Sequence, residues 1–351
     1  MKVLTISIAA YNVEKYLDMA LESICNSSVL DEVEVIVVDD GSKDSTGVIG
    51  ARYAEKYPNS IKSISKVNGG HGSTINTGLK EAKGKYFRVL DGDDWFDSEG
   101  FSAYVEKLKD VDTDMVISNK KLVYPNYEES VKFSFLKEGQ IYNISGEYPY
   151  DICTLSTMAV KTCLLQQNEI SITEKSFYVD LEFVVYSMLL SSTFCYINEN
   201  VYMYRRGIDE QSVSKKNMLK NVKMLSDITE GLYNIVEKEN TKEKNSEFAY
   251  NRIKNATGAL YRTYFLIPNY NEAKEKIVSF ESMLKDHHED GYKKVGEDGF
   301  IRILRMMNYF FSAIVKKDIY DQMQKGRHYL AWSTHERKAG PTHEPNVIQG
   351  T

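Results

Sequence analysis

No CxxC pair occurs among the four cysteines, Cys25, Cys153, Cys163 and Cys195, which lie far apart in 351 residues. That spacing argues against a zinc ribbon or a disulfide framework and reads as reduced thiols of a cytoplasmic protein. Positive charge is not in excess: the net charge is −6 and the pI about 5.7, so no nucleic-acid partner is expected. No apolar run approaches the roughly 20 residues that span a bilayer. The longest uncharged stretch, Phe183 to Asn198, is interrupted by serines. Membrane contact is therefore expected only as a peripheral one, at the inner face of the cell membrane. The sequence has no GxxxxGK[ST] run, so the turn Gly69-Gly70-His71-Gly72-Ser73-Thr74 is not a P-loop. No GxGxxG follows the first strand, which removes the usual dinucleotide reading.

What is present is a regular alternation. Apolar, β-branched runs at Val3–Ile8, Val33–Val38, Ile61–Ser65, Tyr86–Leu90 and Met115–Ser118 predict strands. Helical spacing covers Val13–Ile24, a segment from the cap candidate Asp44 through Tyr57, Ser73–Ala82 and Ser98–Leu108. Such βαβα order predicts an α/β class with a mostly parallel sheet and helices on both faces. Ligands of these sheets sit beyond the strand C-termini. The pattern weakens from Asn119 to Tyr150, where Tyr124, Tyr127, Tyr142, Tyr148 and Tyr150 fit either an irregular excursion or a wall stacking on sugar rings. A helix is expected over 178–191 and two short strands over 194–204. Beyond Lys215 the windows turn helical, which sets a boundary near residue 210. The division expected is 1–210 (halves 1–120 and 121–210), a helical region 211–332, and a disordered polar tail 333–351. Ile301 to Lys317 is apolar with basic ends. A core or subunit-interface helix, allowing a homo-oligomer, is the simpler reading than a membrane-surface helix.

Chemistry concentrates at strand ends. Arg88-Val89-Leu90 runs into Asp91-Gly92-Asp93-Asp94, and Val37-Val38 into Asp39-Asp40-Gly41-Ser42. Adjacent like charges call for a neutralising partner. A hard divalent cation that also holds phosphate oxygens suits one or two carboxylates of this kind. His71 alone reads as an exposed loop histidine. Asp180, next to the apolar run Leu181–Leu190, taken alone reads as a helix N-cap.

In their order and separation these segments resemble the family 2 glycosyltransferases of GT-A fold: Ser7 to Leu17, Val37 to Thr46, Asn68 to Gly78, and Asp91 to Asp94. The resemblance covers roughly residues 1 to 210. It implies an inverting, metal-dependent transferase that uses Mn2+ or Mg2+ and a nucleotide diphosphate-sugar, most often UDP-linked. The acceptor implied is a hydroxyl of a glycan, a wall polymer or a lipid-linked sugar. Carried over by position, Ala9, Tyr11, Asp39, Asp40, Asn68, Gly72, Asp91 and Gly92 line the nucleotide-sugar site, Asp93 holds the metal, and Asp180 is the general base, with Glu182 second choice. Departures are Ala10 in place of a frequent proline, and Thr74-Ile75-Asn76 in place of Ala-Arg-Asn, which removes a cation near the donor. Arg205 or Arg206 stands as a replacement, against a solvated surface pair. The Gln-x-x-Arg-Trp motif of processive synthases is absent. Two other readings are a sugar-1-phosphate nucleotidylyltransferase, whose glycine-rich loop after the first strand is missing, and a non-catalytic partner subunit.

Overall fold

The computed structural model describes residues 2–145, 148, 152–207, 215–238 and 243–309. The chain divides after Ile208 into two compact units.

The first unit opens with β1 (Leu4–Ala10), α1 (Leu17–Cys25), β2 (Val33–Asp39), α2 (Thr46–Lys56), β3 (Ile61–Ser65), α3 (His71–Glu81) and β4 (Tyr86–Asp91). It continues through β5 (Trp95–Phe96), α4 (Ser98–Leu108), β6 (Met115–Tyr124), β7 (Tyr127–Val131), β8 (Ile141–Asn143), β9 (Met158–Lys161), α5 (Thr162–Gln167), α6 (Asp180–Leu190) and β10 (Thr193–Arg205). One sheet runs in the order β3-β2-β1-β4-β9-β6-β10-β5. In β2 only Glu34 escapes burial, the pattern of a strand covered by helices on both faces.

The α/β class expected from the alternation holds. Strands β1 to β4 pair in parallel, and β9 then enters antiparallel between β4 and β6. Among the described residues no helical crossover precedes β9, and the sheet is mixed beyond β4. The two short strands expected near the end of this unit are one, β10, whose register with β6 shifts on either side of Asn200. Bulges absorb the polar Asn198-Glu199-Asn200 that interrupts the apolar pattern.

Register places the site. Ala10 lies opposite Asp39, and Ala9 opposite Asp91, so the ends of β1, β2 and β4 share one edge. Sequential order reverses there, β2 on one side of β1 and β4 on the other, which opens a crevice at the carboxyl edge.

Arg88 holds the two halves of this sheet together. Its side chain is fully buried, donating to Ser118 Oγ at 3.1 Å and to the Ser156 carbonyl at 2.6 Å. The guanidinium lies 5.4–5.9 Å from the ring centres of Phe96, Tyr104 and Tyr202. Burial pushes its pKa down, yet arginine stays protonated, and the aromatic faces replace a carboxylate.

The second unit is helical: α7 (Lys215–Lys220), α8 (Val222–Lys238), α9 (Glu243–Phe265), α10 (Tyr270–His287), α11 (Glu289–Val295) and α12 (Gly299–Met306). Glu281 is buried beneath Arg305, at 2.7 Å, and accepts from Tyr261 Oη at 2.6 Å. On α12, Ile301 and Leu304 are buried while Ile303 and Met306 face outward. Among the described residues no helix is long and apolar enough to cross a membrane. The rest of the 301–317 segment, from residue 310, and the tail 333–351 lie outside the described residues.

Truncating Arg88 leaves a cavity and strips partners from buried acceptors. Arg88→Ala is expected to cost about 3 kcal/mol or more, read as a lowered denaturant midpoint with an unchanged slope.

Candidate active site

Two loops at the carboxyl edge are laced by reciprocal hydrogen bonds. Asn12, held at φ 52°, donates its backbone N–H to Ser42 Oγ at 3.0 Å, and its side-chain oxygen accepts from Lys43 N at 2.9 Å. Asp44 accepts from Glu14 N at 3.1 Å and Thr46 N at 3.0 Å, while Glu14 accepts from Ser45 N at 2.9 Å. These bonds hold Val13 to Tyr16 outside the helix expected there, so α1 starts only at Leu17. Tyr11, 47% exposed, is left beside the crevice with Ala9 behind it.

Asp39 and Asp40 point to different tasks. Asp39 accepts from Ser42 N at 3.0 Å and Ser65 Oγ at 3.1 Å. Asp40 is 2% exposed, and its two oxygens take Gly69 N, Gly70 N, Ser73 Oγ and Lys66 Nζ at 2.7–3.1 Å. That carboxylate clasps the glycine turn and leaves Asn68 exposed at its mouth. The turn needs its glycines: Gly70 has φ 82°, and a Cβ on Gly72 would fall 2.1 Å from the Thr173 carbonyl.

Thr173 belongs to the segment before α6, which docks on α3. Asn76 bonds Ile172 in both directions, through Oδ1 at 2.9 Å and Nδ2 at 2.8 Å. Glu182, 5% exposed, accepts from Thr173 N and Oγ1 at 2.8 Å. Burial raises its pKa, and both its oxygens serve this loop. Ile75, fully buried, presents no charge.

The acidic run then folds as a tight turn. Gly92 N donates to the Ala9 carbonyl at 2.9 Å, a contact with no room for a side chain. Asp94 turns inward, 1% exposed, accepting from Tyr202 Oη at 2.8 Å and Arg205 N at 2.7 Å. Burial, with Asp93 and Asp91 alongside, pushes its carboxyl well above the usual range. The cap of α4 is Asp97, which accepts from Gly100 N at 2.9 Å; Asp94 has no such role. Burial, then the Asp91 charge, lifts Asp93 to about 6 despite the nearby Arg205 and His71. Arg205 is no solvated surface residue: its Nε reaches the Asp93 carbonyl at 2.8 Å, and its guanidinium lies 4.5 Å from the Trp95 ring and 4.8 Å from that of Tyr16. Arg206 is also buried, 4.8 Å over the Tyr204 ring.

His71, read from sequence as a loop histidine, is the first residue of α3, and its Nε2 lies 3.1 Å from Asp91 Oδ1. Burial opposes its charging, but Asp91, then Asp180 and Asp93, outweigh it and raise its pKa. All three carboxylates therefore act on one imidazole. Asp180 occupies the first turn of α6 rather than its cap; Val179 is the cap residue, after Tyr178 at φ 66°. Asp91 thus lies against His71 and the charges of Asp180 and Asp93 reach it, while Asp39 and Asp40 organise the adjoining loops. Lys66, Tyr202 and His71 carried no signal by spacing; each gains its place by tertiary contact. Of the tyrosines considered for a sugar wall, Tyr142 and Tyr148 are buried against Phe194, whereas Tyr127 stacks on Tyr124 and is 58% exposed. Tyr150 lies outside the described residues.

Residues 5–160 match the family described as glycosyl transferase family 2. The minor teichoic acid biosynthesis protein GgaB of Bacillus subtilis is 47% identical over 85 residues, 24% of this chain and 9% of that protein. The glycosyltransferase GlyG of Streptococcus pneumoniae is 27% identical over 220 residues, 58% of this chain and 71% of that one. The chain thus spans under a tenth of GgaB, and 32% of the length of the B. subtilis protein EpsH, a putative glycosyltransferase by its name. Residues 1–349 of S. aureus TarS, solved with UDP-GlcNAc, superpose with a TM-score of 0.66 at 20% identity, over 93% of this chain and 92% of that one. That likeness shows the fold, and it is the GT-A arrangement expected.

A carboxylate that titrates near 6 binds a proton in competition with any cation. A cation held by Asp93 would lose affinity about tenfold per pH unit as pH drops below about 6, where Asp93 is protonated. Calorimetric titrations at pH 7.5, 6 and 5 check this, and Asp93→Asn is expected to flatten the dependence.

Proposed function

We propose that this chain, a member of glycosyl transferase family 2 through residues 5–160, moves a sugar from a UDP-sugar to an acceptor hydroxyl with inversion at the anomeric carbon. The observation that carries the reading is His71, 3.1 Å from Asp91 and acted on also by the charges of Asp180 and Asp93. On this reading the donor-side acidic pair and a base candidate on another helix serve one crevice. TarS, of the same fold, was solved with UDP-GlcNAc, which supports a uridine diphosphate donor.

The donor residues fit a divalent cation. Burial, then the Asp91 charge, raises Asp93, and a positive ion beside the pair would offset both. Among the described residues no three acidic, histidine or cysteine groups form a ready cage. Mg2+ and Mn2+ sites in transferases complete their shells with substrate phosphates, so two carboxylates suffice. When bound, Mn2+ or Mg2+ would offset charge on the departing diphosphate. Asp93 would hold it, with Asp91 beside it toward the ribose.

In the reaction proposed, the uracil lies by Tyr11 and Ala9, and Asp39 faces the ribose side. Asp40 keeps the Asn68–Gly72 turn against the nucleotide. Asp180 accepts the proton of the incoming hydroxyl as it attacks the anomeric carbon opposite the diphosphate. The electron pair of the broken bond leaves on the diphosphate oxygen. The acceptor is proposed to be a glycan, wall polymer or lipid-linked sugar, met at the inner face of the membrane. GgaB, by its name a teichoic acid biosynthesis protein, supports a wall polymer.

Asp180→Asn is expected to bind UDP-sugar as the parent does while transfer falls by 10²–10⁴. Equal transfer in this variant would remove Asp180 from its role. EDTA is expected to abolish release of UDP, and Mn2+ to restore it. UDP release unaffected by chelation would remove the cation from the mechanism.

A further inference from the structure

His71 is the residue of this crevice to which sequence position assigns nothing. Its imidazole is 30% exposed, but Nε2 itself is closed off from solvent. That nitrogen stands 3.1 Å from Asp91 Oδ1, within range for charge attraction, yet it makes no hydrogen bond there because the N–H is not aligned with the carboxylate. A donor this close to a carboxylate but poorly aligned with it keeps capacity for a better-placed acceptor that a ligand would bring. The backbone around it is fixed. Asp40 grips Gly69 and Gly70 immediately before it, and Gly72 after it packs on the Thr173 carbonyl. The backbone that carries the imidazole is therefore set before any ligand arrives.

Its position answers the missing cation. Ile75, where the resemblance expects arginine, is buried one turn further along α3 and carries no charge. His71 is four residues earlier on the same helix, one turn nearer the carboxyl edge of the sheet. Asp91, at the end of β4, lies against it, and the charge of Asp180, at the start of α6, also reaches it.

We propose that His71 is a further catalytic residue: its Nε2–H donates a hydrogen bond to the β-phosphate oxygens of the nucleoside diphosphate, strongest as the sugar–oxygen bond breaks. This rests on the donor reading above. The proton stays on nitrogen throughout; the electron pair remains on the phosphate oxygen, and the acceptor proton goes to Asp180.

The test compares nucleotides that differ only in the β-phosphate. UDP and UMP are titrated calorimetrically into the full chain and into His71→Ala and His71→Gln, each with Mn2+ and with EDTA. A GDP and GMP pair covers the choice of base. Thermal melting of each variant shows whether it is folded, and glutamine, which restores an N–H donor of similar reach, guards against loss of the alanine variant. His71→Ala is expected to weaken UDP five- to twentyfold while leaving UMP unchanged, with and without metal, and His71→Gln to recover part of the gap. With saturating donor, kcat is expected to fall more than the donor KM rises. An unchanged UDP-to-UMP ratio, or an equal loss of both, would overturn the assignment. If the parent protein binds none of the four nucleotides, the donor reading itself fails, and the role of His71 with it.

Discussion

Carboxylates crowded at the edge of a sheet repel one another, and this constraint shapes the first unit. Asp91, Asp93 and Asp94 follow one another around a single glycine, and Asp180 arrives from a distant helix. Each is handled differently. Asp94 is turned inward and given Tyr202 Oη and a backbone N–H. Asp93 is left half-buried with a raised pKa, and Asp91 is paired with an imidazole. The remaining repulsion is a stored preference for a cation and for the phosphates that accompany one.

Holding that arrangement requires rigid neighbours. Asp40 accepts from Gly69, Gly70 and Ser73 of the glycine turn and from Lys66, and Glu182 accepts twice from the segment that docks on α3. Both are acidic residues in a site rich in acids, yet each acts by fixing backbone. Arg205, stacked between Trp95 and Tyr16, binds the acidic turn from the far side. The crevice is thus built from loops whose geometry is set before any ligand arrives, which suits stabilisation of a charge that develops in the transition state.

Much of the fold was legible because burial on both faces leaves continuous apolar runs. β2, β3 and β4 fall within a residue or so of the runs that predicted them, and α4 falls on its predicted range. Helix starts near the site were less legible. α1 begins four residues late because side chains from the β2–α2 loop capture the backbone of Val13 and Glu14. β10 reads as two strands in sequence because its bulges carry polar residues outward. The tyrosines of the middle segment separate only in three dimensions, Tyr142 into the core and Tyr127 to the surface.

Residue order alone determined the α/β alternation, the two acidic strand ends and the acid before the late apolar helix, because strand and helix periods and turn chemistry act over a few neighbouring residues. Only the tertiary structure decided that His71 lies against Asp91, that Asp40 and Glu182 serve backbone, and that Arg206 is buried and Arg205 half-buried. Those outcomes depend on contacts between residues up to a hundred or more positions apart, and on the burial that changes what a charge costs, neither of which leaves a periodic trace in a single chain.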